Sequence, residues 1–417
     1  MSSRAQARGV DVGADTRPAV TVLSGFWPAV TFAAARALLA ADPSLLLVRH
    51  DIREVRDGAV RRVVRTGSGV LEDERVTLVH GCGACTLRED VLPTLVRLAG
   101  AHPGRDIVLV LPEALEPEAL ATACAHCLVD GAPVTEAVRF DSYVTVVDAA
   151  GLMAGLTSTD DLSRRGLHAA DSDHRAVADV VARQIEYADT VVLWGHSTAD
   201  TFETARLAVL LDRLAPWAAH FAVVESTVDC TGLADRLRHT GRHRPETPAV
   251  LARGIEGYAL GVHEPVPDCG VVSTVFRARR PFHPERLHRA LGAVTAPALR
   301  SRGHLWLASQ PDTVVAWEAA GAGLSMGSLG PWLAALPDDR WNDASDLRKL
   351  AAAMEWDPYY GDRHTHLVTI GVGLDAADLH RFLTACLLTD AELAAGEEAW
   401  RGWPDPFAGV LAPRSDR

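Results

Sequence analysis

The first half of the chain alternates short apolar runs with longer segments of helical periodicity. The apolar runs contain few polar residues, which is typical of parallel strands buried on both faces. Strands that alternate with helices in this way predict a doubly wound, mostly parallel α/β sheet. The predicted strands are residues 19–23, 45–48, 76–79, 107–111, 144–147 and 190–193, and the predicted helices are 31–41, 88–98, 117–128, 174–187 and 202–214.

The pattern changes after residue 237. Residues 238–270 are rich in proline and predict a linker with a short helix in it. The strands predicted next show apolar alternation, which favours a smaller α+β domain with an antiparallel sheet. Those strands are residues 271–277, 304–308, 313–319 and 367–372, with helices at 284–291 and 376–387. The predicted organisation is a disordered tail (1–18), an α/β domain (19–237), the linker (238–270) and a C-terminal domain (271–409).

Composition and charge narrow the functional classes. A chain of 417 residues with 48% hydrophobic residues is long enough for two cores. The net charge of −13 argues against direct DNA binding or an anionic membrane surface. No secretory signal and no run of about 18 apolar residues is present. The seven cysteines, an odd number, fit a reducing compartment, so we expect a cytoplasmic protein with no membrane association.

The first predicted strand leads into a segment with the layout of a P-loop: strand, turn, helix. A working P-loop has the pattern G-x-x-x-x-G-K-[ST], in which glycines, a lysine and a hydroxyl hold phosphates and Mg²⁺. Here Ser24 and Gly25 are followed by Val30, Thr31 and Phe32 at the positions of the second glycine, the lysine and the hydroxyl. All three chemical roles are therefore missing.

The base-recognition motif N-K-x-D, expected after a late strand, is absent as well. Trp194 stands in place of its asparagine and Ser197 in place of its aspartate. No shift of the alignment helps, because the chain has a single lysine, Lys349, and a single asparagine, Asn342. We interpret the domain as a P-loop fold with a degenerate nucleotide site and expect neither GTP nor Mg²⁺ as a cofactor; a divergent nucleotide site is the alternative.

Two C-x-x-C pairs carry the remaining candidate chemistry. Cys82 and Cys85 follow a predicted strand, with Gly81 and Gly83 on either side of Cys82, and two thiolates at this spacing suit Zn²⁺. His80 and Glu54 are the candidates to complete the coordination. A redox pair and simple burial of small side chains are the alternatives. Cys124 and Cys127 lie on a predicted helix, where they either pack against the sheet or join the first pair in a four-thiolate site.

Several segments in order along the chain resemble the CobW family of metal-handling P-loop proteins. The segment HGCGACTLREDVLPTLVRLA, from His80, is similar to the signature GCxCCTLREDL of that family, although Ala84 replaces its middle cysteine. Later landmarks are FDSYVTVVDA, QIEYADTVVL, VFRARRPFHPERL, RSRGHLWLA, GDRHTHLVTIG and LLTDAELAAGEEAW. The resemblance implies a P-loop-like domain followed by a CobW-type C-terminal domain, and it implies Glu54, Cys82 and Cys85 as the metal ligands.

The degenerate form is similar to a branch of the family found in actinobacteria and expressed under zinc limitation. There a CobW-like protein with C-x-x-C recruits a hibernation factor to the ribosome. The resemblance therefore implies a zinc-binding pseudo-GTPase whose partner is the ribosome with its hibernation factor. The alternative is a weak GTPase that acts as a metallochaperone and delivers zinc to a client metalloenzyme.

Overall fold

The computed structural model describes residues 15–170, 173–195, 200–321 and 323–411. Within them, the strands of the first domain are β1 (Ala19–Ser24), β2 (Leu46–Asp51), β3 (Ala59–Thr66), β4 (Gly69–Thr77), β5 (Ile107–Val110), β6 (Leu128–Val129), β7 (Ala132–Pro133), β8 (Arg139–Asp148), β9 (Thr190–Trp194) and β10 (Ala219–Val223). Eight of them form one sheet in the order β10-β9-β8-β1-β5-β2-β3-β4, and β6 pairs with β7 in a small hairpin. Neighbouring strands from β10 to β2 are parallel, whereas β3 and β4 add an antiparallel hairpin at one edge.

Helices cover both faces of this sheet, as the alternation along the sequence predicts. The first and the last helix of the domain pack on one face of the sheet. The remaining helices lie on the opposite side. The helices are α1 (Pro28–Ala41), α2 (Gly83–Thr86), α3 (Leu92–Ala101), α4 (Pro117–His126), α5 (Leu152–Leu156), α6 (Val177–Tyr187), α7 (Thr201–Leu214) and α8 (Cys230–Leu237). A π-helical segment, Leu87–Val91, joins α2 to α3, so the chain is helical from Gly83 to Ala101.

The second domain is built on an antiparallel sheet. Its strands are β11 (Glu264–Asp268), β12 (Val271–Ala278), β13 (Arg300–Leu305), β14 (Thr313–Ala320), β15 (Gly323–Pro331) and β16 (Thr365–Val372), in the order β11-β12-β16-β13-β14-β15. Its helices are α9 (Pro284–Thr295), α10 (Asp346–Met354), α11 (Ala376–Cys386), α12 (Asp390–Ala394), α13 (Gly396–Arg401) and α14 (Ala408–Leu411). Helices α9 and α11 pack against the sheet over a core that includes Phe282 and Trp317. The predicted fold class, a P-loop-like α/β sheet with a smaller α+β domain, is confirmed.

The structure corrects several local predictions. The hairpin β3–β4 replaces the short strand predicted at residues 76–79, and most of β4 is exposed, so it lacks the apolar run of a buried strand. The strand predicted at residues 304–308 lies earlier, at Arg300–Leu305. The prediction missed the start of this strand because Arg300 and Arg302 are charged, although both are buried. Residues 238–270 contain turns and β11 but no helix, so the short helix predicted there is wrong. No helix of the described residues is long and apolar enough to cross a membrane.

A buried carboxylate joins the two domains. Glu186, near the end of α6, has no exposed surface and receives two hydrogen bonds of 2.7 Å from the Nε and Nη2 atoms of Arg300. The guanidinium of Arg302 also contacts this carboxylate. The backbone carbonyl of Glu186 accepts hydrogen bonds of 3.1 Å from Arg253 in the linker and from Trp217. The arginines of β13 are therefore structural and present no basic face.

Arg300 also contacts a second buried carboxylate. Arg300 donates to Glu318 on β14 at 2.5 Å, and Arg183 on α6 also pairs with Glu318. Burial raises the pKa of Glu318, but the charges of Arg300 and Arg183 outweigh burial and bring that pKa down to about 2. Glu318 therefore stays ionised throughout the neutral range and balances the cations around it.

We expect Glu186→Gln to lower the free energy of unfolding strongly. The substitution leaves Arg302 without its carboxylate partner and Arg300 with Glu318 as its remaining close one, and breaking a buried ion pair typically costs about 3–5 kcal/mol. Urea denaturation at neutral pH, followed by tryptophan fluorescence, measures the loss. The matched control is Asp73→Asn, which removes the exposed pair of Asp73 with Arg61 and should barely move the midpoint. Equal losses in the two variants would contradict the role assigned to Glu186.

Candidate functional site

Cys82 and Cys85 lie side by side at the start of α2. Cys82 is the N-cap residue, and its Sγ accepts a hydrogen bond of 3.2 Å from the backbone N–H of Cys85. The two Sγ atoms are 2.9 Å apart, and both cysteines are free thiols. The local sequence explains this placement, because the Cβ that another residue would carry at position 81 would lie 2.1 Å from the carbonyl oxygen of Val55. Gly81 thus allows the chain to pass close to Val55 before the helix begins.

The two thiols differ in their surroundings. Cys85 is buried, whereas Cys82 is half-buried and lines a cavity. Burial raises the pKa of the Cys85 thiol to about 11, and the hydrogen bond with Cys82 acts in the same direction. The guanidinium of Arg88, 3.7 Å from the Sγ of Cys85, is the cation in contact with this sulfur. Without a further positive charge, Cys85 is a protonated thiol at neutral pH.

A buried ion cluster holds the cysteine-bearing helix against the sheet. Asp90, in the π-helical segment, pairs with His50 on β2 at an Nε2–Oδ2 distance of 2.7 Å and with Arg62 on β3. Asp90 and His50 are almost completely buried. Burial opposes the charge of Asp90, but its partners outweigh this effect and lower its pKa. The position of the two thiols relative to the sheet is therefore fixed by charged contacts on the next helical turns.

Glu54 lies near the cysteines but is engaged elsewhere. Its carboxylate accepts a hydrogen bond of 2.8 Å from Arg75, and both side chains are 60% exposed. The adjacent Val55 packs in the same apolar cluster as Cys82 and Cys85. Among the described residues, no group of three or more His, Cys, Asp or Glu side chains converges in a way that could hold a metal ion. The structure thus brings the two cysteines together and leaves Glu54 in a surface ion pair.

A cavity of about 630 Å³ opens beside Cys82, between α2 and α4. One side is apolar, and the other is a wall of charged side chains that the sequence did not single out, because they are widely separated along the chain. In that wall Arg175 pairs with both Asp173, at 2.8 Å, and Glu116, at 2.5 Å. Arg183 lies 4.0 Å from Glu116, so the wall continues toward the interface between the domains.

The second pair of cysteines divides between the cavity and the core. Cys127 follows α4 and lines the cavity together with Cys82. Cys124 faces the apolar core near Tyr143, and burial raises the pKa of its thiol to about 12. A protonated, buried thiol of this kind packs as a small apolar side chain. The packing interpretation holds for Cys124, and the four-thiolate site does not form among the described residues.

The segment between β1 and α1 is short and encloses little space. Helix α1 begins at Pro28, so only three residues separate it from Ser24. Residues 24–31 include no positive φ angle of the kind that builds an anion-binding nest. The space lined by Gly25, Thr31 and Phe32 measures about 10 Å³, which is about the volume that one water molecule requires.

Local side chains fill this region. Thr31 is buried and its hydroxyl donates to the carbonyl oxygen of Trp27 at 3.1 Å, while the guanidinium of Arg49 lies over the ring of Phe32, 4.1 Å from its centroid. The hydroxyl of Ser24 lies 2.8 Å from that of Thr145. Val30 is half-buried and packs against the core beneath α1. Each position is therefore occupied by packing or by a hydrogen bond within the protein.

The base-recognition position is also part of the core. Trp194, at the end of β9, is 2% exposed and packs in the cluster beneath α1 and α8. Its side chain is enclosed by apolar neighbours of this core. Ser197 lies outside the described residues.

The two domains match two family models. Residues 51–221 match the CobW/HypB/UreG nucleotide-binding domain, and residues 271–387 match the cobalamin synthesis protein cobW C-terminal domain. Over 358 residues the chain is 34% identical to "Zinc chaperone Rv0106" of Mycobacterium tuberculosis, which covers 84% of this chain and 83% of the relative. The chain belongs to the CobW family. The first match begins at the end of β2, after the segment between β1 and α1.

Two further comparisons are more distant. "Zinc-regulated GTPase metalloprotein activator 1" of Dictyostelium discoideum is 28% identical over 371 residues, which cover 87% of this chain and 75% of that protein. The crystal structure of Zn(II)-bound YjiA GTPase from E. coli superposes with a TM-score of 0.38 at 15% identity, over 89% of this chain and 99% of that one. This superposition is too loose for residue-by-residue comparison.

Proposed function

We propose that this CobW-family protein binds zinc through Cys82 and Cys85, does not use GTP, and acts in zinc homeostasis by contacting a protein partner. The observation that carries the proposal is the position of the two thiols, side by side at the start of a helix and next to a large cavity. Relatives named as zinc chaperones support the choice of metal. Zinc is here a ligand to be sensed or carried, not the centre of a reaction.

The two thiols fit half of a zinc site. Thiolates bonded to tetrahedral Zn²⁺ at about 2.3 Å lie about 3.8 Å apart, so the sulfurs must separate from their present 2.9 Å. The charge of the ion would favour deprotonation of Cys85. Glu54 completes the proposed set when it exchanges Arg75 for the metal. The remaining position is free for water or a ligand from the partner, which suits a site that exchanges its metal.

We expect the purified chain to bind about one zinc per molecule tightly and Cys82→Ser/Cys85→Ser to lose this tightly bound zinc, because the substitution removes both thiolate ligands. Equilibrium dialysis with elemental analysis measures the zinc content. Cys230→Ser is the matched control, since Cys230 is a free cysteine on α8, which packs on α1. Zinc content that is unchanged in the double variant would remove these ligands from the proposal.

The absence of GTP chemistry is proposed from the first strand and helix. The three residues between Ser24 and Pro28 include no positive φ angle of the kind that builds a phosphate-binding nest, and Thr31 stands where a lysine would neutralise the phosphates. In addition, Trp194 is buried in the core at the position of the asparagine that helps to recognise the guanine base. Both arguments concern packed positions, so a small movement of one side chain does not restore the site.

A nucleotide titration tests this part of the proposal. With a fluorescent GTP analogue and Mg²⁺, we expect no saturable binding up to about 100 μM, because the backbone cradle and lysine that contribute most to phosphate binding are missing. Phosphate release from GTP should equal that of buffer alone. Micromolar affinity together with Mg²⁺-dependent turnover would overturn the pseudo-GTPase proposal and favour a GTP-dependent metallochaperone.

For the partner, we propose the ribosome with its hibernation factor, engaged when zinc is scarce. The alternative is delivery of zinc to a client metalloenzyme, and the names of the relatives, which include a metalloprotein activator, favour that class. The cavity beside Cys82 supports a partner in either case, because its charged wall and its apolar side offer both kinds of contact.

Affinity capture from zinc-starved cells separates the two partner classes. With the tagged chain, we expect ribosomal subunits and a hibernation factor to be recovered, and Cys82→Ser/Cys85→Ser to recover less of both, because Cys82 lines the cavity proposed to contact the partner. Cys230→Ser should behave like the unchanged protein. Recovery of a metalloenzyme in place of ribosomal subunits would refute the ribosomal partner and support the alternative.

A further inference from the structure

Three histidine side chains meet in the C-terminal domain, remote in sequence from the cysteines. His304 on β13 is fully buried and is paired across the sheet with His366 on β16. His364 comes just before β16, and its ring lies at 87° to that of His304 with centroids 4.6 Å apart. The Nε2 atoms of His304 and His364 face each other at 3.1 Å. The two rings are therefore arranged with nitrogens, not carbon edges, in contact.

The hydrogen bonds around the pair direct one lone pair, that of His364, toward His304, whose Nε2–H donates to it across 3.1 Å. A metal bound to both nitrogens would take the place of this shared proton. The Nδ1 atom of His364 lies 2.8 Å from the carbonyl oxygen of Asp362, to which only a protonated nitrogen can donate. In its neutral form His364 thus carries its lone pair on Nε2, toward His304. The Nδ1 of His304 is buried and has no hydrogen-bond partner among the described residues.

We propose that His304 and His364 form a second zinc site, independent of Cys82 and Cys85. Two nitrogens bonded to tetrahedral Zn²⁺ at about 2.05 Å lie about 3.3 Å apart, close to the observed 3.1 Å. Imidazole is a ligand that Zn²⁺ accepts readily. The bond from His364 to the carbonyl of Asp362 is the outer hydrogen bond that metal-bound histidines usually make.

A cavity of about 410 Å³ gives access to the pair and contains a third candidate ligand. His364 and His366 both line it. The ring of His366 lies 5.9 Å from that of His304, and its nitrogens make no hydrogen bond with the described residues. Before any movement the site therefore has two protein ligands, and rotation of the His366 side chain supplies a third.

Arginines in the same cavity oppose a cation, and their pairing limits this effect. Arg279 donates to Glu355 at 2.7 Å, and Arg277 lies 3.9 Å from the same carboxylate. The net charge near the histidines is thus partly balanced. We expect this site to bind zinc more weakly than a site with two thiolates.

The experiment uses the full-length chain carrying Cys82→Ser/Cys85→Ser, so that the cysteine site contributes nothing. After removal of metal with a chelator, titration with Co²⁺ and then displacement by Zn²⁺ should reveal one site by its visible absorption. In this background, His364→Gln should weaken binding at least about tenfold, since losing a ligand costs no less than losing an outer partner. His366→Gln should weaken it if rotation completes the site.

The control is His239→Gln, which alters a histidine in the linker and should leave the titration unchanged. Thermal unfolding without metal shows whether each variant folds, and His364→Gln is preferred because His304 is fully buried. Absence of binding in the double-cysteine background, or equal affinity with and without His364, would overturn the proposal and leave a simple hydrogen bond between two neutral rings. Neither result would bear on the zinc content assigned to Cys82 and Cys85.

Discussion

The arrangement of the two domains depends on compensation of one buried charge, the carboxylate of Glu186. A carboxylate without contact to water is costly unless cations and hydrogen bonds surround it. Here the cations, Arg300 and Arg302, belong to the other domain, so separating the domains would break the ion pairs of Glu186 with both arginines. The linker depends on the same residue, because Arg253 donates to its backbone carbonyl. The ion pairs of Glu186 thus fix how the two domains are oriented, because charged groups tolerate fewer arrangements than apolar contacts do.

The ion pairs that begin at this interface end at the cavity next to Cys82. Glu318 binds Arg183 as well as Arg300, and Arg183 approaches Glu116, which pairs with Arg175 in the cavity wall. The cysteine cavity and the domain interface therefore share side chains. A continuous run of ion pairs thus connects the wall of the cavity to the contact between the two domains.

The sequence predicted those features that depend on local pattern. Buried parallel strands are recognisable in the sequence as apolar runs. Two cysteines at C-x-x-C spacing lie close together when a helix begins at the first cysteine. The sequence could not predict β4, whose residues are mostly exposed, or β13, whose buried arginines resemble a polar loop. It also missed the pairing of His304 with His364, since 60 residues separate them. The sequence shows the pattern His364-x-His366, but it does not show that His304 lies opposite His366 in the register of β13 and β16.

The proposed loss of nucleotide chemistry rests on backbone and packing as much as on missing side chains. Placing a lysine at Thr31 would not rebuild a phosphate cradle, because α1 already begins at Pro28 and the loop before it is too short to surround a phosphate. The ring of Trp27 occupies the space above α5, where a Cβ at Gly151 would lie 2.3 Å from its Nε1 atom. The first strand and helix thus serve as part of the core. The chemistry proposed for this chain therefore lies in its thiols, its histidines and the cavities beside them.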